Sequence, residues 1–230
     1  MRNKFLPAMS VALVGTLAMG MAASNANAGN ILLNGNFSTA DATTSTGAAD
    51  WNSVLGLGAG TTGSATRLTG SGAYTGDTAY LQITGTGASG AGSYVAANNT
   101  TTVGTVTPGT NYTLSLEANG TNGISGVNGF TLDFFNSSGG NVGQASGELA
   151  LTNAYQMFSV SDAAPAGASY AEAIVHLSMG AVAGDTGKIN IDNVSISSPA
   201  VPEPGVLGML ALGGLGMLLI GRKRVIRKTA

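Results

Sequence analysis

From residue 112 to residue 196, apolar and polar side chains alternate with a period of two, interrupted by turn-forming residues. Tyr112, Leu114, Leu116 and Ala118 fall on one face of an extended segment, with Thr113, Ser115 and Glu117 on the other. Phe130, Leu132 and Phe134 interleave with Thr131 and Asp133 in the same way, and Ala173, Val175, Leu177 and Met179 with Ile174, His176 and Ser178. Tyr155, Met157 and Phe158 form a less regular apolar stretch. Ile189 and Ile191 share one phase while Val194 and Ile196 share the other, so a bulge is predicted at Asp192-Asn193. Alternation of this kind marks strands with one buried face. Several of them separated by turns predict an all-β, antiparallel sandwich.

The interruptions have turn chemistry. Thr107-Pro108-Gly109-Thr110 places proline before glycine, as a type II turn requires. Asn136-Ser137-Ser138-Gly139-Gly140-Asn141 is suited to linking neighbouring strands, and Ala164-Pro165-Ala166-Gly167-Ala168 to introducing the strand at Ala173. Residues 39–71 are rich in threonine and glycine, with Trp51, Val54, Leu55 and Leu57 as apolar anchors, and are expected to form long loops with a short strand. Tyr112 and Tyr155 belong to strand patterns and are assigned to the core.

The two ends follow different rules. Arg2 and Lys4 precede a mostly apolar run from Phe5 to Ala23, and Ala26-Asn27-Ala28 supplies a small-x-small site. Residues 1–28 therefore read as a signal peptide cut by signal peptidase before Gly29, a retained membrane helix being the alternative. At the other end, Val201-Pro202-Glu203-Pro204 precedes an apolar run, 206–221, and a basic tail, 222–230, with Arg222, Lys223, Arg224, Arg227 and Lys228. As a transmembrane helix 206–221 spans roughly 24 Å, short of the ~30 Å hydrocarbon core. The following basic residues place the tail in the cytoplasm and the preceding domain outside. Pro202 and Pro204 hold their neighbours extended, open to a processing enzyme. A plain tail anchor is the simpler reading of the same segment.

Between the ends, residues 29–199 contain two basic residues, Arg67 and Lys188, against ten acidic ones, a net charge of −8. Such a surface cannot neutralise a phosphate backbone, which excludes nucleic acid as a partner. The chain has no cysteine, so disulfides, thiolate metal sites and cysteine nucleophiles are excluded. About 170 residues suffice for one core, and one domain is expected. A low-charge, glycine-rich chain could also be disordered matrix material, but the alternation speaks against that.

The tail, 200–230, resembles the sorting signal of PEP-CTERM proteins: the extended tetrapeptide Val201-Pro202-Glu203-Pro204, the membrane segment and the basic tail occur in that order. The resemblance implies export, a membrane-anchored intermediate, cutting by an exosortase, and a destination at the cell surface or in an exopolysaccharide matrix. A second resemblance covers 29–199. Asn30-Ile31-Leu32-Leu33-Asn34-Gly35-Asn36-Phe37, then Asp50-Trp51, the Val106–Ala118 turn and strand, Phe130–Phe135, Ala164–Ala168, and Ile191-Asp192-Asn193-Val194-Ser195-Ile196 follow in an order similar to the galactose-binding-like jelly roll of many carbohydrate-binding modules.

That likeness implies glycan binding by aromatic stacking and polar side chains. Trp51, the single tryptophan, is the first candidate platform, with Tyr74, Tyr80 and Tyr94 beside it in loop-rich sequence. The competing reading has Trp51 plugging one end of the sandwich. The likeness also implies a structural calcium held by a carboxylate after the first-strand phenylalanine and an aspartate in the last strand. Here Ser38 follows Phe37, and only Asp192 matches. His176, the single histidine, reads as a solvated strand residue, and no local motif gives Asp133, Glu148, Glu172 or Asp185 a catalytic role.

The expectation is thus a non-catalytic exported β-sandwich that binds extracellular polysaccharide. The alternative is a structural, glycosylated matrix protein without a ligand, and a glycoside hydrolase or lyase is a distant third. A binding module should gather Trp51 and the tyrosines on one exposed surface, a structural filler should bury them, and a hydrolase should face two carboxylates across a groove.

Overall fold

Among the described residues, ten strands pack as two five-stranded antiparallel sheets. They are β1 (Trp51–Leu55), β2 (Thr62–Thr69), β3 (Ala79–Thr86), β4 (Ser93–Asn99), β5 (Asn111–Thr121), β6 (Gly129–Phe135), β7 (Asn141–Glu148), β8 (Gln156–Ala163), β9 (Tyr170–Gly180) and β10 (Thr186–Ser197). The front sheet runs β1-β4-β9-β6-β7 and the back sheet β2-β3-β10-β5-β8. The computed structural model describes residues 29–43, 46–55, 61–87, 93–99, 106–121, 126–180 and 182–199. The expected signal peptide, sorting tetrapeptide, membrane helix and basic tail lie outside the described residues. Among those residues no helix is long and apolar enough to cross a membrane.

The core lies between the sheets and takes the side chains that the alternation assigned to it. Leu114 and Leu116 of β5, Leu132 and Phe134 of β6, Val175 and Leu177 of β9, and Ile189 and Ile191 of β10 are fully buried. Each such side chain contributes about 1.5–3 kcal/mol by leaving water. The predicted bulge is present: the β10–β5 register shifts between Asp192 and Ser195, and Asn193 lies in the left-handed region with φ 49°. The bulge lets Ile189, Ile191, Val194 and Ile196 all point inward although their spacing changes phase. The Pro108-Gly109 turn is also as expected, with Gly109 at φ 80° and the Thr110 N–H donating to the Thr107 carbonyl at 3.1 Å.

Three expectations change. Residues 39–71 hold two strands rather than one short one: β1 and all of β2 lie there, because pairing with β4 and β3 supplies the order that local sequence lacks. Residues 30–37 form turns rather than a strand and hook onto β10, with the Val194 N–H donating to the Gly35 carbonyl and the Ile31 N–H to the Ile196 carbonyl. A Cβ on Gly35 would overlap the Val194 carbonyl, which explains a glycine there. Tyr155 is not in the core. It lies over the outer face of the back sheet, where its hydroxyl donates to the Gly72 carbonyl at 2.9 Å.

Candidate functional site

The four candidate aromatics do not come together. Trp51 points into the sandwich, is 7% exposed, and packs on Phe37 with ring centroids 5.1 Å apart. Its neighbour in register, Asn99, is likewise buried and donates to the Asp50 carbonyl at 3.0 Å. Trp51 therefore packs in the core and offers no ring face to a sugar, and its Nε1 has no hydrogen-bond partner. Tyr80 is buried on the outer side of the back sheet beneath Gly72. Tyr74 stands near it and packs edge-on against Tyr155 at 5.6 Å. Only Tyr94, on β4, belongs to the front sheet's outer face, where it pairs in register with Ser178.

That outer face carries a grouping that sequence reasoning missed. On β9, Tyr170, Glu172, Ile174, His176 and Ser178 alternate with the buried core residues and are each half-buried. The register with β6 sets Tyr170 opposite Phe135, Glu172 opposite Asp133, Ile174 opposite Thr131, and His176 opposite Gly129. Beyond β6, Gln144 of β7 is the partner of Asp133 and Ser146 that of Thr131. On the other flank, Asn98 and Ala96 of β4 pair with Ile174 and His176. From Ser178 to Tyr170 the face extends about 27 Å along β9.

Each part has a physical cause. Phe135 and Tyr170 stack almost parallel, 5.2 Å apart with 12° between planes, at one end of the face. Tyr94 is near the other end. His176 lies across β6 because Gly129 has no side chain: a Cβ there would stand 2.6 Å from the imidazole Cε1. It is thus half-buried rather than solvated, and burial lowers its pKa. Asp133 is 8% exposed; burial raises its pKa, opposed by a hydrogen bond from the Thr131 hydroxyl. Glu172 is raised first by burial and then by the charge of Asp133. Asp133 Oδ1 and Asn98 Oδ1 are buried acceptors without a hydrogen-bond partner, and both side chains belong to this face. Buried acceptors are rarely left so, and such orphans point to a missing donor.

Asp192, the calcium candidate, is fully buried on the outer side of the back sheet. One oxygen accepts the Tyr74 N–H at 3.0 Å and the other the Asn193 N–H at 2.9 Å. The carbonyls of Phe37 and Ser38 accept Arg67, at 2.6 Å from Nε and 3.0 Å from an Nη. A guanidinium thus already holds the first-segment carbonyls, and these residues do not fit a calcium ion, which needs six to eight free oxygens. Among the described residues no group of three or more histidine, aspartate or glutamate side chains could hold a metal ion.

No family model and no curated protein matches this chain. Solved structures do. The enzymatically active domain of tailspike protein 4 from bacteriophage CBA120 is 15% identical over 74% of this chain, with a TM-score of 0.52. An arabinose-bound GH51 α-L-arabinofuranosidase is 19% identical over 74%, with a TM-score of 0.51. A family 11 carbohydrate-binding module from a Clostridium thermocellum cellulase aligns more loosely, 13% identical over 74% of this chain and 95% of the module, at 0.46. The chain spans 21% of the tailspike structure and 26% of the arabinofuranosidase. The likeness is one of fold, a two-sheet antiparallel β-sandwich.

Asp133 and Glu172 are adjacent on one sheet surface rather than opposed across a groove.

Proposed function

We propose that this is a non-catalytic glycan-binding domain of an exported protein, holding an extended sugar chain along the outer face of the front sheet. The observation that carries the reading is the pair of orphan acceptors, Asp133 Oδ1 and Asn98 Oδ1, on a face bounded by the stacked Phe135–Tyr170 pair and by Tyr94. Sugar hydroxyls supply donors, and pyranose rings supply apolar faces for aromatic rings. A polar site built for such donors rejects ligands that lack them. The roles follow from position: Tyr170, Phe135 and Tyr94 stack, while Asp133, Glu172, Asn98, Gln144 and His176 hydrogen-bond.

The two terminal segments support the rest of the proposal. Signal peptidase removes 1–28, the 206–221 helix anchors an intermediate, and an exosortase cuts near Val201-Pro202-Glu203-Pro204 to deliver the domain to the cell surface or an exopolysaccharide matrix. Co-sedimentation of the detergent-purified chain with the producer's exopolysaccharide tests the binding. Tyr170→Ala and His176→Ala should each lose most of it, and Trp51→Phe should not. Equal sedimentation of all variants would remove this face from the proposal.

A second reading, a structural matrix protein without a ligand, draws support from the burial of Trp51. Hydroxyl pairs on the back sheet, Thr113 with Ser161 at 2.7 Å and Ser115 with Ser195 at 2.8 Å, also suit a plain hydrated surface. Absence of any sedimentation would favour it.

A further inference from the structure

We infer that the sugar chain carries unsubstituted amino sugars, and that an ammonium group on the sugar is held between Asp133 and Glu172. This rests on the glycan-binding reading of the front sheet and names the class of glycan. Asp133 and Glu172 are register partners on β6 and β9, so two carboxylates stand side by side on a half-buried surface. The Asp133 side chain is more than nine-tenths buried and its Oδ1 has no partner. A buried carboxylate beside a half-buried one calls for a compensating cation, because unpaired charge away from water is costly.

The domain does not supply that cation. Of its two basic residues, Arg67 is on β2 and is committed to the Phe37 and Ser38 carbonyls, while Lys188 is on β10. Both belong to the back sheet. The titratable groups sharing the face among the described residues are Tyr170 and His176 of β9, Glu148 of β7 and Tyr94 of β4. None of them is a fixed positive charge, and burial holds His176 toward its neutral form.

An ammonium suits the site better than a metal ion. It has three N–H donors, and the row Glu172–Asp133–Gln144 offers three acceptor side chains. A divalent cation would need more oxygens than this row carries. The stacked Phe135–Tyr170 pair lies one row further along, about 7 Å away, close to the span of one pyranose ring. One sugar can therefore rest on the aromatic pair while its neighbour's ammonium meets the carboxylates, and the rings themselves attract a cation. Acidic polymers are disfavoured by the same charges.

Calorimetric titration of the detergent-purified full chain with a short β-1,4-linked glucosamine oligomer, and with its fully N-acetylated counterpart, tests this. The glucosamine oligomer should bind roughly tenfold or more tightly, the scale of a charge-assisted contact. Asp133→Asn and Glu172→Gln should each abolish the preference, bringing the glucosamine oligomer's affinity down to that of the N-acetylated oligomer measured on the same variant. With the wild type, affinity should rise with pH as the carboxyls ionise and fall again as the amine loses its proton. If the N-acetylated oligomer binds as well in the wild type, or the preference survives both substitutions, the amino-sugar inference is wrong and the glycan-binding reading stands. If neither oligomer nor the producer's exopolysaccharide binds, the glycan-binding reading fails as well. Unchanged melting of both variants, or a slight gain from relieved repulsion, separates loss of the contact from loss of the fold.

Discussion

The carboxylate of Asp192 accepts the backbone N–H of Tyr74 at 3.0 Å, across 118 positions of the chain, and so ties β10 to the loop that covers it. Asp192 also stands opposite Glu117 in the β10–β5 register. Burial pushes its pKa up to about 6; the N–H groups of Tyr74 and Asn193 work against this, and the charges of Asp77 and Glu117 add to it.

This sets a pH dependence of stability. A carboxyl whose pKa is raised from 3.8 to about 6 on folding takes up protons as the chain folds. Its contribution is fully present below 3.8 and is lost as pH rises through about 6. Asp133 and Glu172 are raised as well and act with the same sign. His176 acts oppositely: its lowered pKa makes stability fall as pH drops through 6.5. In His176→Ala, which removes the opposing imidazole, the urea midpoint should rise between about pH 7 and about pH 5 as Asp192 takes up its proton. Glu117→Gln should flatten that slope. A midpoint that falls steadily over this interval would contradict the burial of these groups.

Gly129→Ala sets a methyl group against the His176 imidazole and near the Gly147 carbonyl. The ring can move at its flexible end, so the stability loss should be modest, about 1–3 kcal/mol. Glycan affinity should fall further, because the displaced ring crosses the face proposed to hold the glycan. In a double-mutant cycle with His176→Ala the two losses should be strongly non-additive, and simple additivity would show that the pair does not act together.

Trp51 should behave as a core residue. Trp51→Ala is expected to cost about 3–5 kcal/mol, while Trp51→Phe, which keeps the contact with Phe37 and removes the unpartnered Nε1, should cost far less. Its fluorescence should be that of a shielded indole and should not change on adding glycan. A saturable shift would place the ligand near Trp51 instead.

On the sorting proposal, replacing Pro202-Glu203-Pro204 by alanines removes the two prolines that would keep this tetrapeptide out of a helix and open to the processing enzyme. The expected outcome is uncut protein in the membrane fraction, read by immunoblot. Normal processing of that variant would sink the sorting proposal.

Much of the fold was legible because strand alternation is local. β5, β6, β9 and β10 could be placed from their own side chains, and the bulge at Asp192-Asn193 from a phase change within a few residues. β1 and β2 were not legible, since their threonine, glycine and serine residues form strands through pairing with β4 and β3. The site was read only in part. Tyr94 is on the outer face of the front sheet, but Trp51, Tyr74 and Tyr80 are not, because being aromatic and lying near loops does not distinguish a buried ring from an exposed one.

The amino-acid sequence by itself determined the class of fold, the inward faces of the central strands, the turns that join them and the acidic balance of the domain. Each of these depends on neighbours in the chain. Only the tertiary structure decided that Asp133 meets Glu172, that Phe135 stacks on Tyr170, and that Gly129 makes room for His176. Those meetings follow from β6 lying beside β9, a choice that period-two alternation leaves open, since it tells which face of a strand is buried but not which strand stands next to it.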